Sequence, residues 1–404
     1  MIPVADLLLE TLRLRQRRSA AELRHGWREA RTDGLAQLVA FEGCSLWLHR
    51  RLKELNALQG LDAAFTVWLT AAARRVAATN LAVDAQRDAV AGILDELGCP
   101  HVLLKGAAQR LVTHLYPYAD ARAVGDVDVL VPEQLAPDVW KRFQRAGFTA
   151  AVGVEQRYAD HHHLAPLSNE FHVSVELHTS TSNAIPPEEA WRRMNGSSST
   201  TERRDGATKV AGATELLWHA LAHAVVESSS YAFRLRCLLD AAAVWTSDQE
   251  VDWTAITSRI DSGELPDSNM ARQWLGAAAW LAGRPCPTSL APEEPGFDLA
   301  RALRWRLDVF RWFARWRLAA AQGPWSMGPL ARVRRLLADE GTGAMLALSL
   351  TPPRAGSGPL RRAGRWAAAG VARLCFQSWC MIKPTHGIGY RHASHVHASM
   401  SEQQ

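Results

Sequence analysis

Two aspartates alternate with valines in GDVDVLV, residues 125 to 131. In an extended chain, side chains at i and i+2 share a face roughly 7 Å apart. Asp126 and Asp128 therefore point together, while Val127, Val129 and Val131 go to the core. Carboxylates held that close repel one another unless a cation lies between them. Mg²⁺ takes one or two carboxylates together with substrate phosphate oxygens. Alone, such a pair more often marks a half-exposed strand with a polar outer face. FHVSVELHT, 171 to 179, changes the weighting because it alternates strictly: Phe171, Val173, Val175 and Leu177 on one face, His172, Ser174, Glu176 and His178 on the other. An antiparallel neighbour strand would bring Glu176 beside the aspartates as a third carboxylate. Three carboxylates can hold two metals about 4 Å apart, the arrangement that clamps attacking and leaving oxygens in phosphoryl chemistry. His178 shares the face of Glu176 and is placed to orient a carboxylate or touch phosphate.

A third stretch supplies a site for the phosphates. LLKGAAQRL, 103 to 111, is an apolar run broken at Lys105-Gly106 and resumed with a helical rhythm. A turn between strand and helix presents backbone N–H groups to an anion. Gly106 permits close backbone approach, and Lys105 can neutralise a phosphate. A Lys-Gly pair is weak evidence alone; phosphate turn, Asp-x-Asp strand and later acidic strand, in that order, are more specific.

The elements that must position these groups follow from periodicity. Residues 1 to 98 read as helical, and 80 to 98 place apolar residues at 81, 83, 90, 93, 94 and 97 before Gly98. From 101 the pattern becomes strand HVLL, helix AAQRLVTHLY, strand DVDVLV, a helix over EQLAPDVWKRFQRAG, strand FTAAV and strand FHVSVELHT. This implies an α+β fold: a small mixed sheet with helices packed on it, flanked by helical regions. The polar NGSSSTTERRDGAT, 195 to 208, reads as a loop, and helices resume after it. The division expected is 1–94 helical, 95–194 catalytic core, 209–290 helical acceptor side, 291–383 Arg/Trp-rich and helical, and 384–404 a flexible His-rich tail.

Bulk composition sets wider limits. The 404 residues are 48% apolar and 22% charged, as in ordinary globular proteins. The formal net charge of +5 is too small to imply nucleic acid by itself. Six scattered cysteines without a CxxC argue against a zinc knuckle or disulfide scaffold and suit a reducing cytoplasm. No apolar run reaches the ~20 residues of a spanning helix, and MIPVADLLLE lacks a signal peptide's basic start.

HVLLKGAAQRLVTHLYP…ARAVGDVDVLVP followed by VSVELHT resembles the nucleotidyltransferase superfamily with the DNA polymerase beta-like fold, and more narrowly its bacterial, largely uncharacterised branch. Members of that branch carry a similar Leu-Lys-Gly turn, an Arg shortly before the Asp-x-Asp strand, and a later Glu-Leu-His strand. The similarity runs on through LWHALAHAV and LRCLLDAAAVW to DWTAI, about residues 35 to 290. It implies that Asp126 and Asp128 ligate the metal and that Glu176 completes the metal site and helps deprotonate the acceptor. It places Gly106 at the nucleotide-phosphate turn and makes Lys105 and Arg122 phosphate contacts. Ala107 stands where many members have Gly or Ser, which removes one phosphate contact.

Other signals weigh less. His161, His162 and His163 precede the acidic strand; such a run can bind a transition metal, although loop histidines that only hydrogen-bond are commoner. His219 and His223 have helical i, i+4 spacing without the glutamate of HExxH. The four histidines of the tail suggest adventitious metal affinity. RALRWRLDVFRWFARWRL reads as an amphipathic helix burying Trp305, Phe310, Trp312 and Phe313 under Arg stems, with nucleic acid the less favoured alternative.

The reading that joins these is a cytoplasmic, Mg²⁺-dependent (alternatively Mn²⁺-dependent) nucleotidyltransferase. It moves a nucleoside monophosphate from an NTP, expected to be ATP, to an acceptor hydroxyl. The acceptor is a small molecule, a peptide or protein, or an RNA end. A phosphotransferase using the same metals, or an idle binding or antitoxin-like protein, are the alternatives.

Overall fold

The computed structural model describes residues 2–112, 120–150, 158, 161–170, 173–204, 206–227, 233–247, 249–291 and 298–322, with side chains to 311 in the last segment. The chain divides into two compact units. One comprises Met1–Ile2, Leu7–Ala30 and Glu42–Phe297; the other comprises Pro3–Asp6, Arg31–Phe41 and Asp298–Gln404.

The N-terminal part is helical, as its composition requires: α1 (Val4–Leu12), α2 (Ala20–Arg28), α3 (Leu35–Glu42), α4 (Ser45–Glu54) and α5 (Ala63–Glu96). Helix α5 starts at an Asp62 cap, whose carboxylate accepts from the Phe65 N–H at 2.9 Å. It stops just before Gly98, which adopts φ +61°. Its buried stripe is Asn80, Val83, Arg87, Val90 and Leu94, whereas Leu81 is 70% exposed and Leu97 43%. The apolar positions of the sequence thus locate the helix but only partly its inner face.

The mixed sheet contains β1 (Val102–Leu103), β2 (Asp126–Leu130), β3 (Thr149–Ala150), β4 (Leu167–Ser168), β5 (Ser174–His178), β6 (Ser199–Arg203) and β7 (Gly206–Val210). Their order is β3-β4-β5-β2-β1-β7-β6. Strand β2 is antiparallel to β1 but parallel to β5. The antiparallel neighbour expected for the aspartates is therefore a parallel one, reached by a crossover that includes α7 (Ala136–Arg145). That crossover contains β3 and β4, short strands on the far side of β5.

The polar segment read as a loop is instead the hairpin β6–β7, with β7 parallel to β1. Its composition misleads because the hairpin forms the sheet's edge, where β6 is largely exposed and β7 buries only Thr208 and Val210. The short helix α6 (Lys105–Gln109) begins earlier than expected, directly after Leu104, and 113–119 lie outside the described residues. Phe171 and His172, half of the first turn of the alternating pattern, also lie outside them.

After α8 (Pro187–Gly196) and the hairpin come α9 (Ala213–Ala222), α10 (Leu235–Thr246), α11 (Trp253–Asp261) and α12 (Ser268–Ala282). Helices α10 and α12 pack closely, alanines 241–243 and 277–279 are buried, and Trp218 of α9 and Trp274 of α12 are fully buried. His219 lies in α9 and His223 caps it, its N–H donating to the His219 carbonyl; a π-helical turn (His223–Glu227) follows.

The second unit includes α13 (Leu299–Gln322). Leu303, Leu307 and Phe310 are buried and Trp305 is half-buried; Phe310 meets Phe41 at 5.9 Å between ring centres. Arg304 pairs with Asp6 at 2.9 Å. The side chains of Trp312 and Phe313, and the His-rich tail, lie outside the described residues. Among the described residues no helix is long and apolar enough to cross a membrane.

Candidate active site on the polar face of strands β2 and β5

Parallel pairing sets Asp126 against Ser174 and Asp128 against Glu176. Adjacent strands lie about 4.8 Å apart, so Glu176 stands beside Asp128 without any long side-chain reach. On the other face Val127, Val129, Val175 and Leu177 are buried. A one-residue slip would reverse both faces, so the valines hold the acids in register.

Asp128 is fully buried, and its two oxygens have different surroundings. Oδ1 accepts from Lys105 Nζ at 2.8 Å and from His178 Nε2 at 2.8 Å. Oδ2 is buried with no hydrogen-bond partner among the described residues. Leaving such a group unsatisfied costs ~1–3 kcal/mol, more when it is charged. The ring nitrogens of His178 meet Asp128 Oδ1 and, at 3.3 Å, the Ser180 carbonyl. Asp128 Oδ1 only accepts, so Nε2 is the nitrogen that donates to it.

The acids titrate far apart. Burial, and then the neighbouring Asp128 and Glu176 charges, push Asp126 up to about 7. Burial would also raise Asp128, but Lys105 and the His178 hydrogen bond hold it well below the usual carboxylate range. Glu176 is likewise lowered: burial is outweighed, chiefly by His178, which lies 3.6 Å away. For His178 itself, burial and Lys105 act downward, yet bonding to Asp128 and Glu176 leaves its pKa raised. His163 is pushed by burial down to about 4 and is neutral near pH 7; its Nε2 lies 3.8 Å from Glu176 Oε2.

Atoms of Asp128, Glu176 and His178 all lie within 4.8 Å of one another; with His178 Nε2 donating to Asp128, the carboxylate oxygens are the ligands of this group. The unsatisfied Oδ2 and the mutual repulsion felt by Asp126 are what a divalent cation relieves, and carboxylate oxygens are the donors that Mg²⁺ or Mn²⁺ takes. The residues fit such an ion. Asp126, half-buried and two residues along β2, is outside that tight group but on the same face.

The Lys105-Gly106 turn joins β1 to α6. Lys105, not Gly106, has the positive φ, +44°. A left-handed non-glycine residue costs about 1–2 kcal/mol, and this one delivers its ammonium to Asp128, 3.9 Å from Glu176 Oε2. Gly106 is required by close approach: a Cβ there would stand 1.8 Å from Arg122 Nη1. Arg122 forks onto Asp240 of α10, Nε to Oδ1 at 2.9 Å and Nη2 to Oδ2 at 2.6 Å. It thus stands against the turn at Gly106. Ala107 is fully buried.

Asn80 and Asp240 position this assembly, a role not read from the sequence. Asn80 Nδ2 donates to the carbonyls of Arg122 (2.7 Å) and Asp120 (3.3 Å), and its Oδ1 accepts from Val124 N–H (3.1 Å). One buried amide therefore clamps the chain just before β2. The available signal was a polar residue on the 80, 83, 87, 90, 94 stripe of a long helix.

Sheet, acidic strands and flanking helices suit a transferase of phosphorus-containing groups, the class that the family match gives. The chain belongs to a nucleotidyltransferase family: the model described as "Uncharacterised nucleotidyltransferase" matches residues 28–281, more than half of the sequence. No curated protein and no solved structure matches it.

Proposed function

We propose that this protein transfers a nucleoside monophosphate from an NTP, ATP in the first instance, to an acceptor hydroxyl with release of pyrophosphate, in the presence of Mg²⁺. The acceptor hydroxyl oxygen bonds to the α-phosphorus, the α–β bridging P–O bond breaks, and the bridging electrons leave on pyrophosphate. The observation that carries the reading is the in-register pair of Asp128 and Glu176, with one buried Asp128 oxygen unsatisfied.

Asp126, Asp128 and Glu176 would hold the divalent ion, which when bound neutralises triphosphate charge and acidifies the acceptor hydroxyl. His178 fixes the Asp128 carboxylate through Oδ1, so Oδ2 keeps its aim. Glu176, ionised at neutral pH, takes the acceptor proton. Lys105 and the turn at Gly106 and Ala107 steady the phosphates, and Arg122, held by Asp240, backs that turn. Catalysis of this type is mainly positioning and charge neutralisation, which suits a site with few protein groups. We place the protein in the cytoplasm on this reading, and take the acceptor to be a small molecule, a peptide or protein, or an RNA end.

ATP labelled at the α or the γ phosphate, incubated with the protein, Mg²⁺ and fractionated native extract, tests it. Label from the α position on an acceptor is the expected result. Label from the γ position alone would make the protein a phosphotransferase, and transfer of neither would make it a binding protein.

A further inference from the structure

The three consecutive histidines lie outside the chemistry assigned above, and their surroundings are those of ligands. Each offers one ring nitrogen, and the three atoms lie within 4.8 Å of one another. The rings crowd together, His161 lying 4.1 Å from both His162 and His163 between centres.

The backbone carrying them is fixed to the end of β5. Thr179 N–H and Ser180 N–H donate to the His162 carbonyl at 2.9 and 3.1 Å, and His163 bridges to His178. Tautomers follow from the partners. Asn183 Oδ1 accepts the His162 backbone N–H at 2.8 Å and also faces His162 Nδ1 at 2.9 Å. An amide oxygen only accepts, so Nδ1 is the protonated nitrogen and Nε2 bears the lone pair. His163 Nδ1 faces the Leu164 carbonyl at 2.8 Å, which puts the lone pair of His163 on Nε2 as well. An imidazole whose far N–H is held by a carbonyl or amide oxygen is the arrangement metal-bound histidines adopt.

We propose that His161, His162 and His163 form a site for a zinc-class divalent ion, separate in ligand chemistry from the carboxylates that suit Mg²⁺. Three imidazoles select a borderline-soft ion such as Zn²⁺ or Co²⁺ over Mg²⁺ and leave a fourth tetrahedral position open. Glu176 Oε2, 3.8 Å from His163 Nε2, lies between the two groups. This inference does not depend on nucleotidyl transfer.

The test uses the full-length, untagged protein stripped of metal and titrated with Co²⁺. One equivalent should develop the visible absorption of tetrahedral cobalt, be displaced by Zn²⁺ and persist in excess Mg²⁺. The triple variant His161→Ala/His162→Ala/His163→Ala should lose it. A variant with His386, His392, His395 and His397 changed to alanine should keep it. If circular dichroism shows the triple variant unfolded, His161→Gln decides, with an expected loss in Co²⁺ affinity of at least ~10-fold. Unchanged cobalt absorption in the folded triple variant, or unchanged affinity in His161→Gln, would overturn the site. So would loss of the signal in the tail variant, or its abolition by excess Mg²⁺.

Discussion

Two groups of buried charge are built on opposite plans. Arg122 and Asp240 form a closed unit: both prongs of the guanidinium meet both carboxylate oxygens. Asp128 and its neighbours form an open one. Lys105 and His178 converge on a single oxygen of Asp128, the second oxygen has no partner among the described residues, and burial with the neighbouring acids pushes Asp126 up to about 7. A closed pair contributes rigidity. The open cluster keeps coordinating capacity that the fold itself does not use.

That contrast fails most visibly if the open cluster has no chemical role. Asp126→Asn combined with Asp128→Asn should reduce Mg²⁺-dependent transfer by ~10³-fold or more while the far-ultraviolet dichroism stays that of the parent. Parental activity in this variant would end the assignment. Asp240→Ala attacks the closed pair. It leaves a buried guanidinium uncompensated and should cost about 3–5 kcal/mol, read from urea unfolding. A loss below ~1 kcal/mol would show that the pair is not structural.

Asn80→Ala should follow at ~1–3 kcal/mol, since it leaves the Val124 N–H and two carbonyls without their partner. Lower Mg²⁺-dependent activity should accompany it, because the chain entering β2 is no longer clamped.

A pH series sharpens the comparison further. The folded pKa of Asp126 lies above its unfolded value. Stability from this group is therefore fully present below pH ~4 and is lost as pH rises through about 7. In EDTA, the urea midpoint of Asp126→Asn should depend less on pH across that window than the parent's. An identical slope would remove Asp126 as its source. The smallest effect belongs to Glu189, held down to about 2 by Arg192 and Arg193 on a solvent-facing helix. Its contribution is present above pH ~4.5 and lost as pH falls toward 2, and Glu189→Gln should change stability by no more than ~1 kcal/mol.

Sequence alone revealed the acids because alternation is a local property. Asp126, Asp128, Glu176 and His178 share a face for the reason that valines and a leucine occupy the other. The direction of β5 relative to β2 was not legible, since a strand's pattern reads the same in parallel and antiparallel pairs. Nor was the β6–β7 hairpin, whose edge position removes the apolar residues that would have announced it. Gly106 was expected to let the backbone approach a phosphate; the group that approaches it in the structure is Arg122, a contact that depends on tertiary structure. Leu81 shows the same limit in a helix: it obeys the period yet faces solvent, while Asn80 beside it is buried.

Parallel pairing has a further bearing on how the scaffold can diversify. Two strands running the same way cannot be joined by a tight hairpin, so the polypeptide crosses over after Leu130 through α7 and comes back by β3 and β4 beyond β5 before reaching Ser174. Residues may be added to or trimmed from that excursion without altering the spacing between Asp128 and Glu176, because the ladder rather than the connection sets it. Change of length is thus confined to the parts of the excursion that β3, β4 and the 161–163 backbone do not tie to the sheet.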